Sequence, residues 1–242
     1  VFSGLLLHYR MEEGVWSGVA GEVIDHSGQG KNGTGYGGAT TAVGGKYDRG
    51  GSFDGTNDYV ATPLTIDQSA TSAGVTLQAW ARPDAYATGY RFVLGTDNGG
   101  NDWSILMIDG NWYVATGENY YYTGVAASLG QWQHVAAAFT PGSGVRFYKN
   151  GVEFAIPQIG YDTSTAPLQV GRMGSANYYF KGMIDEVAGH NRPLTAGEIQ
   201  SLYQYGIARY ADTPPTHSSW YTYRVRAYKD AATCDWPSAP SE

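Results

Sequence analysis

Residues 133–156 read QHVAAAFTPGSGVRFYKNGVEFAI. Two runs of strand-forming residues, 133–140 and 144–149, flank the Gly-rich Pro141-Gly142-Ser143-Gly144. Asn150-Gly151 then leads into a third run, 152–156. Asn-Gly is a strong hairpin signal, because both residues tolerate the positive φ that a tight turn needs. Strands joined by so few residues pair antiparallel, since a parallel crossover takes a dozen residues or more.

The same grammar extends outward. Val75, Leu77, Ala79 and Ala81 alternate with Thr76, Gln78, Trp80 and Arg82, the period of two of a strand. Runs at 91–95, 103–108 and 111–116 follow, the last two joined by the turn pair Asp109-Gly110. Further runs lie at 5–9, at 51–54 and 58–62 around Asp54-Gly55-Thr56-Asn57, at 168–171 and at 182–188. Residues 25–51 are so rich in Gly that they read as an ordered loop region. About a dozen short strands predict two packed sheets rather than a small barrel. One helix is expected after Thr195, which forms a capping-box pair with Glu198. Ile199, Leu202 and Tyr203 share a face of it and Gly206 can stop it.

The pattern changes after Ile207. Pro214-Pro215 cannot continue regular structure, and 220–228 alternates as one extra tail strand. The expected division is therefore a main domain, 1–207, and a tail, 208–242.

Composition narrows the function classes. The chain has 242 residues with 34 Gly, 20 Tyr, one Cys and a net charge of −7. High Gly and Tyr content describes a turn-rich β protein. Acidity makes nucleic acid an unsuitable partner, since phosphate binding needs a basic face. No apolar run approaches the ~18 residues of a membrane helix, so no direct membrane insertion is expected. One cysteine, Cys234, excludes an internal disulfide and a Cys-based zinc site. No G-x-S-x-G elbow or phosphate-binding Gly loop is present.

The order of several motifs resembles a laminin G-like, concanavalin A-like jelly roll, a kind common in bacterial secreted proteins. They include LLLHYRMEEG at 5–14, DHSGQGKNG at 25–33, GSFDGTNDYV at 51–60, LQAWARP at 77–83, FYKNG at 147–151, FKGMIDEV at 180–187 and LTAGEI at 194–199. The resemblance covers residues 3 to about 206. It implies an all-β, two-sheet antiparallel sandwich with one short C-terminal helix, to which the tail strand is added. It also implies a structural calcium held by Asp25, Asn32 and Asp185; without it, Asp25 would simply make an Asx-turn. The tail is similar to the last strands of a fibronectin type III domain.

For function, the expectation is a non-catalytic, secreted or cell-surface carbohydrate-binding or adhesion module. Asp97, Asn98, Asn101, Asp102 and Trp103 place polar groups and an aromatic ring in one loop. Tyr120, Tyr121 and Tyr178 are the other candidate contacts, because adjacent Tyr in a strand cannot all face a core. A glycan and a cell-surface protein are both suitable partners, as Tyr is also enriched at protein interfaces. Two alternatives stand beside this reading. One is a surface-fibre protein that forms homo-oligomers or filaments by strand addition through 208–242. The other is a glycoside hydrolase, which needs two facing carboxyls; Glu12-Glu13 and Asp185-Glu186 are adjacent pairs, which in a strand point to opposite faces.

Overall fold

The computed structural model describes residues 3–66, 73–84, 89–96, 103–117, 119–156, 160, 166–174 and 178–206. All of them lie within the unit Val1–Ala208. The tail strand, with its fibronectin-like reading and Cys234, falls outside the described residues.

The chain runs through β1 (Leu5–Tyr9), β2 (Thr34–Tyr36), β3 (Thr40–Tyr47), β4 (Arg49–Asp54), β5 (Tyr59–Thr65), β6 (Val75–Pro83), β7 (Tyr90–Gly95) and β8 (Ser104–Ile108). It continues through β9 (Asn111–Thr116), β10 (Asn119–Ala126), β11 (Gln133–Thr140), β12 (Gly144–Lys149), β13 (Val152–Ile156), β14 (Pro167–Val170), β15 (Lys181–His190) and the helix α1 (Ala196–Tyr205). The expected all-β sandwich with one short C-terminal helix is what forms. Eight strands make one sheet, in the order β13-β12-β11-β6-β15-β4-β3 with β1 also on β15. Seven make the other, in the order β10-β9-β8-β7-β14-β5-β2. Every strand pairing is antiparallel.

Residues 133–156 fold as their turns dictate. β11, β12 and β13 pair in succession. Asn150 and Gly151 have φ of 52° and 79°, and Asp109 and Gly110 of 47° and 80°. Both positions are thus left-handed in each turn, which matches the twist of the flanking strands.

Two strands, β2 and β3, were hidden in the region read as a Gly-rich loop, while β4 begins two residues before the run read at 51–54. β3 and β4 form a hairpin whose register shifts between Val43 and Tyr47, so its Gly residues belong to an irregular ladder rather than to a loop. β10 was also missed. Three consecutive Tyr erase the apolar–polar alternation by which a strand is recognised.

The core lies between the sheets. Leu77, Ala79, Ala81, Val135, Ala137, Phe139 and Phe147 meet Val60, Ile105, Met107, Trp112, Val114, Leu168 and Val170. The other face of β6 is buried as well, with Thr76, Gln78 and Trp80 at 0%, 2% and 4% exposure. The reason is α1, whose Ile199 and Leu202 pack with Leu194 on Ala136, Ala138, Tyr148 and Ala188. The helix starts at Thr195, whose side chain accepts from the Glu198 amide while Glu198 Oε2 accepts from the Thr195 amide. Gly206 closes it by donating its amide to Leu202.

β15 organises the eight-stranded sheet. Along one edge it pairs first with β4 (181–184) and then with β1 (187–190), and along the other with β6. Its bulge falls at the change of partner, between Asp185 and Ala188, where Glu186 has φ 49°. A bulge re-aims a side chain, and here Glu186 Oε2 lies 2.7 Å from His8 Nε2, both residues being buried.

Candidate functional site

The site begins with the pleat of the seven-stranded sheet. Side chains alternate between the inter-sheet core and the outer face. In β5, Val60, Thr62 and Leu64 are buried, leaving Tyr59 outward. In β9, Trp112 and Val114 point inward and Tyr113 outward. The register then places Phe92 beside Leu106, Leu106 beside Tyr113, Tyr113 beside Tyr122 and Tyr36 beside Tyr59.

Outward aromatics therefore form a row across the sheet. Tyr90 lies 4.7 Å from Tyr120 and 4.9 Å from Tyr178, and Phe92 lies 6.3 Å from Tyr178. Tyr113 lies 5.3 Å from Tyr122, and at the far edge Tyr36 stacks on Tyr59 at 5.0 Å. Phe92, Leu106, Ala115 and Met173 form an apolar floor under Tyr90, Tyr113 and Tyr120. Tyr122, Tyr36 and Tyr178 are 54%, 46% and 36% exposed. Rings fixed on a sheet lose little entropy on contact with a ligand, because the fold has already set their rotamers.

Of the aromatic candidates read from the sequence, Tyr120 and Tyr178 belong to this row. Tyr121 does not: one residue along β10 reverses the face. It packs against the inter-sheet core, and its hydroxyl accepts from the Gly160 amide at 2.9 Å. Trp103 is corrected more strongly. It is fully buried and stacked on Phe139 at 5.7 Å, so it is a core residue and not a loop platform. Asp97, Asn98, Asn101 and Asp102 lie outside the described residues. Sequence reading missed Tyr90, Tyr113 and Tyr59, although the alternation of their own strands carries the signal, and Tyr36, which lies in the Gly-rich stretch.

The expected calcium ligands do not present an oxygen cage. Asp25 Oδ1 accepts from the amides of His8 (3.0 Å) and Ser27 (2.9 Å). Its Oδ2 accepts from the Ser27 hydroxyl (2.8 Å) and the Lys31 amide (2.9 Å). Burial pushes this carboxyl up, but those hydrogen bonds outweigh it and hold it below its ordinary range. Asn32 Oδ1 accepts from the Asp25 amide at 2.9 Å. Asp185 is fully buried and accepts from the amides of Tyr47 (3.1 Å) and Glu186 (2.8 Å). Burial, reinforced by Glu186, raises it to about 8. Calcium takes six to eight oxygens whose lone pairs face the ion, whereas the carboxylate oxygens here face N–H and O–H donors. Among the described residues no group of three His, Cys, Asp or Glu is arranged to hold a metal. In this arrangement Asp25 and Asn32 make the Asx-turn framework of the 25–33 loop. Calcium or EGTA is accordingly expected to leave the melting temperature unchanged. Binding at ~100 times Kd would instead add about 2.7 kcal/mol, a rise of several degrees that would reinstate the ion loop.

Carboxylate chemistry is also separated from the aromatic row. Asp185 and Glu186 sit on β15, in the other sheet. No Asp or Glu is among the outward-facing strand residues described on the seven-stranded sheet.

The comparisons agree with this architecture. A search of curated proteins finds no match. Domain 4 of AbnA, an extracellular arabinanase of Geobacillus stearothermophilus solved with arabinotriose, superposes with a TM-score of 0.63 at 21% identity, over 83% of this chain and 98% of that one. The binding domain of Paraclostridial Mosquitocidal Protein 1 gives 0.62 at 17% identity, over 83% and 52%. A structure of botulinum neurotoxin type C, whose cell entry depends on two ganglioside molecules, gives 0.58 at 13% identity, over 83% and 50%. The chain thus spans about half of each toxin chain, and identities this low speak to the fold. Residues 54–200 match the family model of the concanavalin A-like lectin/glucanases superfamily. With more than half its length matched and two antiparallel sheets packed face to face, the chain belongs to the concanavalin A-like lectin/glucanase superfamily.

Proposed function

We propose that this chain is a non-catalytic glycan-binding module that works outside the cell. The observation that carries the reading is the row of outward aromatic side chains on the seven-stranded sheet. Sugar rings combine an apolar face with hydroxyls at their edges. A row of tyrosines offers both matching parts, apolar rings and phenolic donors. The comparisons support this reading in kind: the arabinanase domain was solved with arabinotriose, the cell entry of botulinum neurotoxin type C depends on two ganglioside molecules, and the similar part of the mosquitocidal protein is its binding domain.

Hydrolysis would need a carboxyl pair about 5–9.5 Å apart flanking the sugar. The described outward residues of the row supply none. Assembly into a fibre through 208–242 rests on residues outside those described, and a protein partner for the Tyr row is an outcome of the same test.

The test is a glycan array followed by calorimetry with the best ligand. Tyr120→Ala and Tyr178→Ala are each expected to weaken binding roughly tenfold, the ~1.4 kcal/mol of one lost aromatic contact. Tyr121→Ala, on the opposite face, should leave affinity unchanged if the fold is kept. Absence of binding to every glycan would overturn the proposal and leave the row as a protein-contact surface.

A further inference from the structure

Arg172 stands at the end of the aromatic row. Its guanidinium carbon lies 4.1 Å from the centroid of Tyr59, the outward ring that stacks on Tyr36, and 5.8 Å from that of Tyr179. Its Nε donates to Gln169 Oε1 at 3.1 Å and to the Gly174 carbonyl at 2.6 Å. Nη1 reaches the Tyr179 hydroxyl at 3.4 Å. The Nη2 side of the fork has no hydrogen bond to any described residue, and none of the ion pairs among the described residues includes Arg172. In a chain of net charge −7, a half-buried arginine without a described carboxylate partner is conspicuous.

Two features fit it to a ligand rather than to packing alone. The stacking on Tyr59 and the anchored Nε hold the guanidinium plane still, so little rotamer entropy is left to lose. The remaining N–H groups form the planar fork that matches a carboxylate with two parallel hydrogen bonds. A neutral sugar hydroxyl would use only one arm of that fork. The acidic chain as a whole repels a dense polyanion, so the matching ligand carries isolated carboxylates.

We propose that Arg172, with Tyr59 and Tyr179, forms a subsite for a carboxylated sugar, a uronic or a sialic acid residue, at one end of the glycan row. The inference rests on the glycan-binding reading of that row and names the class of sugar it prefers.

The experiment measures affinity of the full chain for paired ligands that differ in one charge: methyl galacturonoside against its methyl ester, and sialyllactose against the methyl ester of its sialic acid. The acidic member of at least one pair is expected to bind on the order of 10–100-fold more tightly, as for a charge-assisted bidentate contact. That pair identifies the source of the carboxylate. Arg172→Gln should erase the preference while keeping the affinity for the neutral partner. Arg172→Lys, which keeps charge but not the fork, should recover only part of it. A thermal melt of each variant reports whether the fold is intact. If neutral ligands bind as well as acidic ones and Arg172→Gln changes neither, the subsite is overturned while the glycan reading stands. If no glycan of any class binds, both fall together.

Discussion

Replacing Trp103 by alanine is expected to lower the stability of the protein by about 3–5 kcal/mol, the range for emptying a large aromatic site in a core. Trp103 has no exposed surface and stacks on Phe139 with the planes 16° apart. Phe139 belongs to β11 in the opposite sheet, so the pair joins the two layers directly. The sequence places the same residue in a polar loop, where it reads as a sugar platform. The two placements differ in outcome. A platform residue would lose ligand affinity at constant stability, as Tyr178→Ala should. A core residue loses stability first, visible as a lower urea midpoint without any ligand. Trp103→Phe, which keeps an aromatic ring against Phe139, should lose less.

A second large effect is a stability maximum near pH 6.5. His134 is buried, and burial with the nearby Lys46 lowers it to about 3. His190 is lowered to about 4 by burial and by Arg192. Below pH 6.5 the unfolded chain protonates both residues and the folded chain does not, so stability falls as pH falls. Each group contributes about 1.4 kcal/mol per pH unit. Asp185, raised to about 8, acts in the opposite sense. The folded chain keeps its proton while the unfolded chain has lost it, so stability falls as pH rises from about 4 to 8. Between pH 4 and 6.5 these two histidines, joined by His26, which burial also lowers, oppose Asp185 and outweigh it, so stability falls with acidification. Above pH 6.5 Asp185 acts alone and the slope reverses. His134→Gln keeps a donor for Gln78, the 2.9 Å partner of the imidazole. It removes one of the histidine contributions, so the acid limb should flatten between pH 4.5 and 6.5. Urea midpoints across pH 4.5–8 measure this directly. A stability that climbs steadily from pH 6.5 to 8 would contradict the account.

Much of the fold was legible because its determinants are local. Asn150-Gly151 and Asp109-Gly110 specify tight turns by themselves, and the strands beside them follow at the expected positions. Thr195 and Glu198 specify a helix start in the same way, since a capping box needs only residues three apart. β10 was not legible, because Tyr120-Tyr121-Tyr122 carries no polar–apolar contrast. β2 and β3 were not, because their Gly residues signal turns where the chain in fact pairs into ladders. The candidate site was half legible for the same reason. Tyr120 and Tyr178 were found by composition, but without the strand assignment of β10 nothing separated Tyr120 from Tyr121.

The sequence by itself determined the class of fold, the hairpins, the helix with its caps and the richness in tyrosine from which a contact surface can be built. Tertiary structure alone decided which of those rings meet. Tyr90, Tyr120 and Tyr178 come from three distant segments; only the pairing of β7, β8, β9 and β10 sets the first two in register, and the segment before β15 brings the third against Tyr90. Trp103 enters the core because β8 lies opposite β11, a relation that no local pattern encodes. The Asp185-Glu186 pair shows the same limit. Neighbouring residues in a regular strand face opposite ways, but β15 bulges where it exchanges β4 for β1. That exchange, a matter of non-local partners, is what turns Glu186 onto His8 and leaves Asp185 among backbone amides.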